Sequence, residues 1–140
     1  MLLNKQELFS DAQEIPVTLN AATDSTNTLD FRSHGDDIDK ELRWFVLLTE
    51  TATSAGDATL QITWQTSANN SDWTTVYTGD AIALADLTAG SMLVDGAVLP
   101  TGLLRYNKLV YTNAGAAFTN TPAIDAGIVR NDMPIGLPTT

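Results

Sequence analysis

Short runs in which apolar and polar residues alternate recur along the chain, and this pattern most constrains its fold. The clearest run is residues 59–65, where Leu60, Ile62 and Trp64 alternate with threonine and glutamine. A period of two places apolar side chains on one face of a β-strand and polar ones on the other. Clusters of Gly, Asn, Asp, Ser, Thr and Pro separate the runs, as turns separate antiparallel strands. The pattern therefore predicts an all-β protein.

About eight strands are predicted. They lie at residues 15–19, 28–31, 42–50, 59–65, 73–77, 92–94 with 97–99, 104–111 and 123–129. Residues 44–48 are apolar without interruption, which indicates a strand buried on both faces. Residues 82–87 could form one short helix capped by Asp80. Eight strands without a long helix favour a jelly-roll-like antiparallel β-sandwich, and a seven-stranded immunoglobulin-like sandwich is the alternative.

The length and apolar content predict one domain. The chain has 140 residues, of which 44% are hydrophobic, enough for a core without disulfides or metal. We expect one jelly-roll domain over 1–140, with an N-terminal arm at 1–13, a sandwich core at 14–130 and a C-terminal tail at 131–140. Both extended ends carry apolar side chains that could bind a neighbouring subunit. The predicted contact residues are Leu2, Leu3, Leu8, Phe9, Ile135 and Leu137.

Charge and composition exclude several classes of function. Seventeen acidic and seven basic residues give a net charge of −10, which repels the phosphate backbone and disfavours nucleic-acid binding. The chain has no cysteine, so disulfides and thiolate chemistry are absent. No apolar run approaches the roughly 20 residues that span a bilayer, and the N-terminus lacks an apolar signal core. We therefore expect a soluble, uncleaved protein whose partners are neutral or basic proteins.

The residues that usually carry catalysis are scarce. His34 is the only histidine, and it lies in a polar, glycine-containing loop where a solvated imidazole is expected. Asp36, Asp37, Asp39 and Glu41 form an acidic cluster that could offer oxygen ligands to calcium, but the EF-hand spacing is absent. A solvated acidic loop is the favoured interpretation. The sequence therefore predicts neither an enzyme nor a bound cofactor or metal.

The aromatic residues admit two interpretations. They are Trp44, Trp64, Trp73, Tyr77, Tyr106 and Tyr111. Exposed rings could form a sugar-binding platform, which keeps a carbohydrate- or receptor-binding β-sandwich module as the alternative function. In a small β-sandwich such rings more often belong to the core.

Several segments resemble the capsid cement proteins of tailed bacteriophages. The opening residues 1–13, and above all their order Leu/Phe-Ser-Asp-Ala-Gln, resemble the start of that family. Residues 51–60 resemble its central hairpin, 99–111 its penultimate strand, and 118–119 with 123–129 its closing strand. The loop at 31–40 and the tail after Arg130 follow no family pattern.

The resemblance implies a fold, a place and a set of partners. It implies a jelly roll on the outer surface of an icosahedral phage head, made in the host cytoplasm. There it would bridge neighbouring subunits of the major capsid protein and stabilise the expanded shell. The implied partners are the major capsid protein and further copies of the chain, as a homodimer or homotrimer.

Overall fold

The computed structural model describes residues 8–30, 42–100 and 102–130, which form ten strands. The strands are β1 (Leu8–Glu14), β2 (Ala22–Asp24), β3 (Leu29–Asp30), β4 (Leu42–Leu48), β5 (Thr59–Ser67), β6 (Thr74–Thr78), β7 (Ile82–Ala83), β8 (Met92–Val98), β9 (Tyr106–Ala114) and β10 (Ala123–Arg130). A 3-10 turn, Leu84–Asp86, follows β7. Within these ranges no helix is long and apolar enough to cross a membrane.

The strands pair antiparallel in two sheets. One sheet has the order β1-β10-β4-β8, and the other has the order β2-β9-β5-β6, with β3 also on β9 and β7 also on β5. Because β2 and β3 pair with successive parts of β9, and β6 and β7 with successive parts of β5, the ten strands occupy eight positions. The pairs of positions are nested along the chain. The first position (β1) pairs with the eighth (β10), the second (β2 and β3) with the seventh (β9), the third (β4) with the sixth (β8), and the fourth (β5) with the fifth (β6 and β7). This nesting is the jelly-roll arrangement and confirms the predicted fold class.

The two ends of the sandwich differ in the connections they carry. At the upper end Glu14 pairs with Ala123, and the connections β1–β2, β4–β5, β7–β8 and β9–β10 lie there. At the lower end Leu42 pairs with Arg130, and the connections β5–β6 and β8–β9 lie there. The described part of β1 begins at this lower end, and the described part of β10 finishes there.

Aromatic rings form the centre of the core between the sheets. The ring of Trp64 meets the rings of Trp44 and Phe9 edge to face, with centroids 5.1 and 5.0 Å apart. All three side chains are buried. The Trp64 indole N–H donates to the Oδ1 of buried Asn107 at 2.9 Å, so the one polar atom of this ring has a partner, as buried donors require.

A second apolar cluster lies on the opposite face of β4. Trp44, Val46 and Leu48 point into the core, whereas Phe45 and Leu47 alternate to the outer face of the four-stranded sheet. We call the set Leu8, Phe45, Leu47 and Met92 the outer cluster. Phe45 and Leu47 are nevertheless buried, so the prediction that β4 is covered on both faces is confirmed.

The prediction of the first strand is wrong. The strand spans Leu8–Glu14, and residues 15–18 are irregular. Pro16 has no N–H for a ladder, and the N–H of Ile15 donates to the carbonyl of Pro122 at 2.9 Å. Val17 and Leu19, predicted to be strand residues, are 42% and 44% exposed. Residues 8–13 therefore belong to the sandwich and not to an arm.

The predicted short helix at 82–87 is also wrong in extent. Ile82 and Ala83 pair with β5 as a strand, and only the following three residues form a 3-10 turn. Ala83, not Asp80, occupies the N-cap position, and it makes no side-chain cap. The N–H of Leu87 donates to the carbonyl of Leu84 and that of Ser91 to the carbonyl of Thr88, so successive tight turns replace a helix before β8 begins at Met92.

The hydroxyl of Tyr111 is sealed inside the sandwich. It lies 2.8 Å from the hydroxyl of Ser10, which donates to the Oε1 of Gln13. Tyr111 is fully buried, and this desolvation raises the pKa of its hydroxyl well above the ordinary value.

The raised pKa predicts a loss of stability in alkali. Above pH about 10 the unfolded chain loses the Tyr111 proton while the folded chain keeps it, so the free energy of unfolding falls by up to about 1.4 kcal/mol per pH unit. Below that pH this contribution is fully present. Tyr111→Phe should cost about 1 kcal/mol at neutral pH and flatten the alkaline slope. Urea unfolding of both chains at neutral and alkaline pH measures this, and equal alkaline slopes would contradict it.

Candidate interaction surface

The lower end carries the two most exposed large apolar side chains of the described chain. Val98, the last residue of β8, is 59% exposed, and Leu104 in the β8–β9 connection is 45% exposed. A β-bulge places Val98 outward: Ala97 pairs with Trp44 and Val94 pairs with Val46, so two residues, Asp95 and Gly96, face one on β4. We therefore treat these two exposed side chains as candidate residues for a contact with another protein.

Charge divides between the two ends. The cations Arg43, Arg105 and Lys108 lie in the lower half of the sandwich, where Arg105 contacts both carboxylate oxygens of Asp30 at 3.0 and 3.1 Å and Lys108 contacts Asp24 at 3.1 Å. The hydrogen bond from Asp30 raises the pKa of Arg105.

The upper end has the opposite character. The described residues at this end include the acidic Glu14, Glu50, Asp57 and Asp86. No described residue at this end is a lysine or an arginine. Two cations of the lower half, Arg105 and Lys108, are thus each paired with a carboxylate, whereas the charged residues described at the upper end are all acidic. The two ends therefore differ in the charge that they present to solvent or to a partner.

The aromatic residues do not form an exposed platform. Trp44, Trp64 and Tyr111 are buried in the core, and Tyr77 packs edge to face on Trp44 with centroids 5.2 Å apart. Of the remaining two, Trp73 lies beneath the Lys108 ammonium and Tyr106 beneath the Arg105 guanidinium, at 4.4 and 4.7 Å from the ring centroids. Each of these two rings is thus covered on one face by a charged side chain.

An open cleft lies beside β7 and β8 in the part of the chain that the structure describes. This cleft has a volume of about 390 Å³ and is lined by residues that include Ile82, Asp86, Ser91 and Leu93. Nowhere in the described ranges do three His, Cys, Asp or Glu side chains gather as metal ligands would.

A comparison with known protein families shows the family to which the chain belongs. The Bbp16 family model matches residues 9–128, which is most of the chain. The chain belongs to the Bbp16 family. The Bbp16 family is phage-related, in agreement with the coarser part of the resemblance to phage proteins. No curated protein matches the chain. The Bbp16 match runs from β1 into β10, so the sandwich is the part that the family shares.

The structure places two of the predicted contact residues inside this Bbp16 sandwich. Phe9 is 0% exposed and packs on Trp64, and Leu8 is 6% exposed in the outer cluster. Neither side chain has surface left for a partner, so the contact role predicted for them does not fit their positions. Two register shifts within β1 remove the alternation that would have identified these residues as strand.

The other predicted residues lie outside the described ranges. These are Leu2, Leu3, Ile135 and Leu137, together with His34 and the acidic residues Asp36, Asp37, Asp39 and Glu41. The neighbouring strands nevertheless show where the terminal segments attach. Leu8 pairs with Gly127 and Arg130 pairs with Leu42, so both segments leave the Bbp16 sandwich at its lower end, the end that bears Val98 and Leu104.

Proposed function

We propose that this Bbp16-family protein is a structural virion protein that binds the outer surface of the phage head. It bridges neighbouring subunits of the major capsid protein and stabilises the expanded shell. The observation that supports this most is the lower end, where both terminal segments attach beside exposed Val98 and Leu104. Leu2 and Leu3, which precede Leu8 in the sequence, remain candidate contact residues in this proposal.

Such a role needs binding energy, not reactive groups. A protein that binds the assembled shell more tightly than free subunits stabilises the shell by mass action. Each contact can be weak, because an oligomer that engages several capsid subunits gains avidity. A homodimer or homotrimer on a symmetry axis of the head would provide this. The proposal involves no catalysis, cofactor or metal.

The division of charge supports one orientation on the shell. The lower end faces the capsid, because it carries the exposed side chains of Val98 and Leu104, and its cations Arg105 and Lys108 are paired with carboxylates. The upper end, with Glu14, Glu50, Asp57 and Asp86, faces solvent. Negative charge on the outside of each particle opposes aggregation of heads.

Charge introduced at the lower end is the test of this orientation. Val98→Glu with Leu104→Glu should weaken capsid binding about tenfold or more, because each substitution places an unpaired carboxylate in an apolar contact. The matched control is Val17→Glu with Leu19→Glu, which changes two similarly exposed side chains near the upper end. Co-sedimentation with cognate heads measures both. Equal loss in the two variants, or loss in the control alone, would contradict the orientation.

A further inference from the structure

A groove runs along the side of the sandwich between β7 of one sheet and β8 of the other. The cleft of about 390 Å³ beside these strands is lined in part by Ile82 and Leu93. A second cleft, of about 170 Å³, is lined by the same two residues and extends to Tyr77 and Gly79. Because the two clefts share Ile82 and Leu93, they form one continuous groove. We call it the edge groove.

Both walls of the edge groove are edges of sheets. β8 is the last strand of the sheet β1-β10-β4-β8, and β7 pairs with β5 at the margin of the other sheet. Among the described strands, neither has a partner on its outer side. An edge strand leaves backbone N–H and C=O groups unpaired on that side, and an extended segment of another chain can pair with them. The walls therefore favour an extended polypeptide as the occupant.

The floor of the edge groove is apolar. Ile82 and Leu93 are partly buried and pack against the core. In the smaller cleft the lining also includes Ile62 and Val94, which are buried. An apolar side chain that points at this floor from a bound segment would leave water, which is favourable. The middle of the segment should therefore carry an apolar residue.

A carboxylate lines each part of the edge groove. Asp80 belongs to the smaller cleft and Asp86 to the larger one, and both residues are exposed. Within the described chain neither carboxylate has an ion-pair or hydrogen-bond partner. No described residue that lines either cleft is a lysine or an arginine. The edge groove thus complements a segment with a cation on each side of its apolar residue.

We propose that the edge groove binds an extended segment of another protein in which two basic residues flank an apolar one. Asp80 and Asp86 are separated by three residues of extended backbone and three of a 3-10 turn, which span at most about 16 Å. Four residues of a bound strand span about 13 Å, and the long side chains of lysine and arginine cover the remainder. Side chains on one face of a strand recur at every second residue. The segment therefore has lysine or arginine at positions i and i+4 and an apolar residue at i+2.

Charge also favours another protein over a second copy of this chain. The chain has a net charge of −10, so a second copy would bring like charge to Asp80 and Asp86. The edge groove lies beside the β7–β8 connection at the upper end, the end that the proposed orientation turns away from the shell. A segment bound there leaves Val98 and Leu104 free. The proposal is therefore independent of capsid binding, and either can fail without the other.

A short peptide with this pattern tests the proposal. The probe is fluorescein-labelled Gly-Lys-Ser-Val-Ser-Lys-Gly, and fluorescence anisotropy with the full-length protein at low ionic strength measures its binding. We expect saturable binding that Asp80→Asn with Asp86→Asn weakens about tenfold, because both ion pairs are lost. The matched control is Glu14→Gln with Glu50→Gln, which removes the same charge from the upper end outside the edge groove. The control should change binding by less than about twofold.

A second peptide and a second readout distinguish the edge groove from general attraction. Gly-Lys-Lys-Ser-Val-Ser-Gly has the same composition but places its lysines on opposite faces of a strand, so it should bind about fivefold more weakly or less. In NMR spectra the probe should shift the backbone amide signals of residues 92–94. Equal binding of the two peptides, or equal loss in the two charge variants, would overturn the proposal, because net charge alone would explain the attraction. Absence of saturable binding, or amide shifts confined to the lower end, would also overturn it.

Discussion

Replacing Trp64 with alanine is expected to remove most of the stability of the fold. The substitution deletes a fully buried ring that packs on Phe9 and Trp44, at a cost of about 3–5 kcal/mol. It also leaves the Oδ1 of buried Asn107 without its indole donor, which adds about 1–3 kcal/mol. A domain of this size has about 5–15 kcal/mol in total, so the variant should be largely unfolded at 37 °C.

Trp73→Ala is the matched control. Trp73 is half-buried at the start of β6, where it packs beneath the Lys108 ammonium. Its loss should cost about 2 kcal/mol, because the ring is only half-buried and its cation-π contact with the largely buried Lys108 contributes about 0.5–2 kcal/mol. Urea unfolding followed by far-UV circular dichroism compares the two. Similar midpoints for the two variants would show that the ring contacts of Trp64 are not the centre of the core.

Gly115→Ala is expected to have the second largest effect. Gly115 follows β9 with φ +81°, a left-handed conformation that costs alanine about 1–2 kcal/mol. A methyl group there would also overlap the carbonyl oxygen of Asp57 in the adjacent connection. That oxygen belongs to the backbone and cannot swing aside. We expect a loss of about 3 kcal/mol or more in the free energy of unfolding.

Gly90→Ala separates the two causes. Gly90 has φ +89°, and a methyl group added there meets nothing within 4 Å. Its substitution should therefore cost only the left-handed conformation, about 1–2 kcal/mol. The difference between the two glycine variants, measured by thermal and urea unfolding, gives the cost of the overlap with Asp57. If both variants lose the same stability, the close approach of the two connections is wrong.

The sequence predicted the regular strands because their pairing is unbroken. All nine residues of β5 pair in register with β9, so Leu60, Ile62 and Trp64, which alternate with polar residues in the sequence, lie on one face of the strand. The uninterrupted apolar run of β4 likewise predicted a strand buried on two faces. In the structure one face of β4 belongs to the core and the other to the outer cluster. In these elements a pattern in one strand is enough to identify its faces.

The sequence failed where bulges change the phase of a strand. In β1 the shifts place Phe9 and Ser10 against the interior together, and Ala12 adopts φ +53° while its N–H donates to the carboxylate of Asp125. A period of two cannot detect such a strand. The alternation of Ile15, Val17 and Leu19 was visible, but it belongs to a connection, because Pro16 cannot take part in a ladder.

The exposed residues of the lower end were missed for the same reason. With strict alternation Val98 would share the inward face of Val94, but the bulge at Asp95 and Gly96 turns it outward. The glycine at position 96 is the one sequence feature that could have indicated the bulge. In the structure Gly96 adopts φ +62°. Leu104 follows Leu103 directly, and a sequence alone does not show which of two adjacent leucines stays in water.

Binding to phage heads is the measurement that tests the proposed function most directly. Purified full-length protein is mixed with cognate expanded heads and with unexpanded procapsids, sedimented, and counted as bound copies per particle. A structural virion protein that stabilises the expanded shell should saturate expanded heads at a copy number commensurate with the icosahedral lattice and bind procapsids more weakly. Absence of saturable binding to either particle would contradict the proposed function.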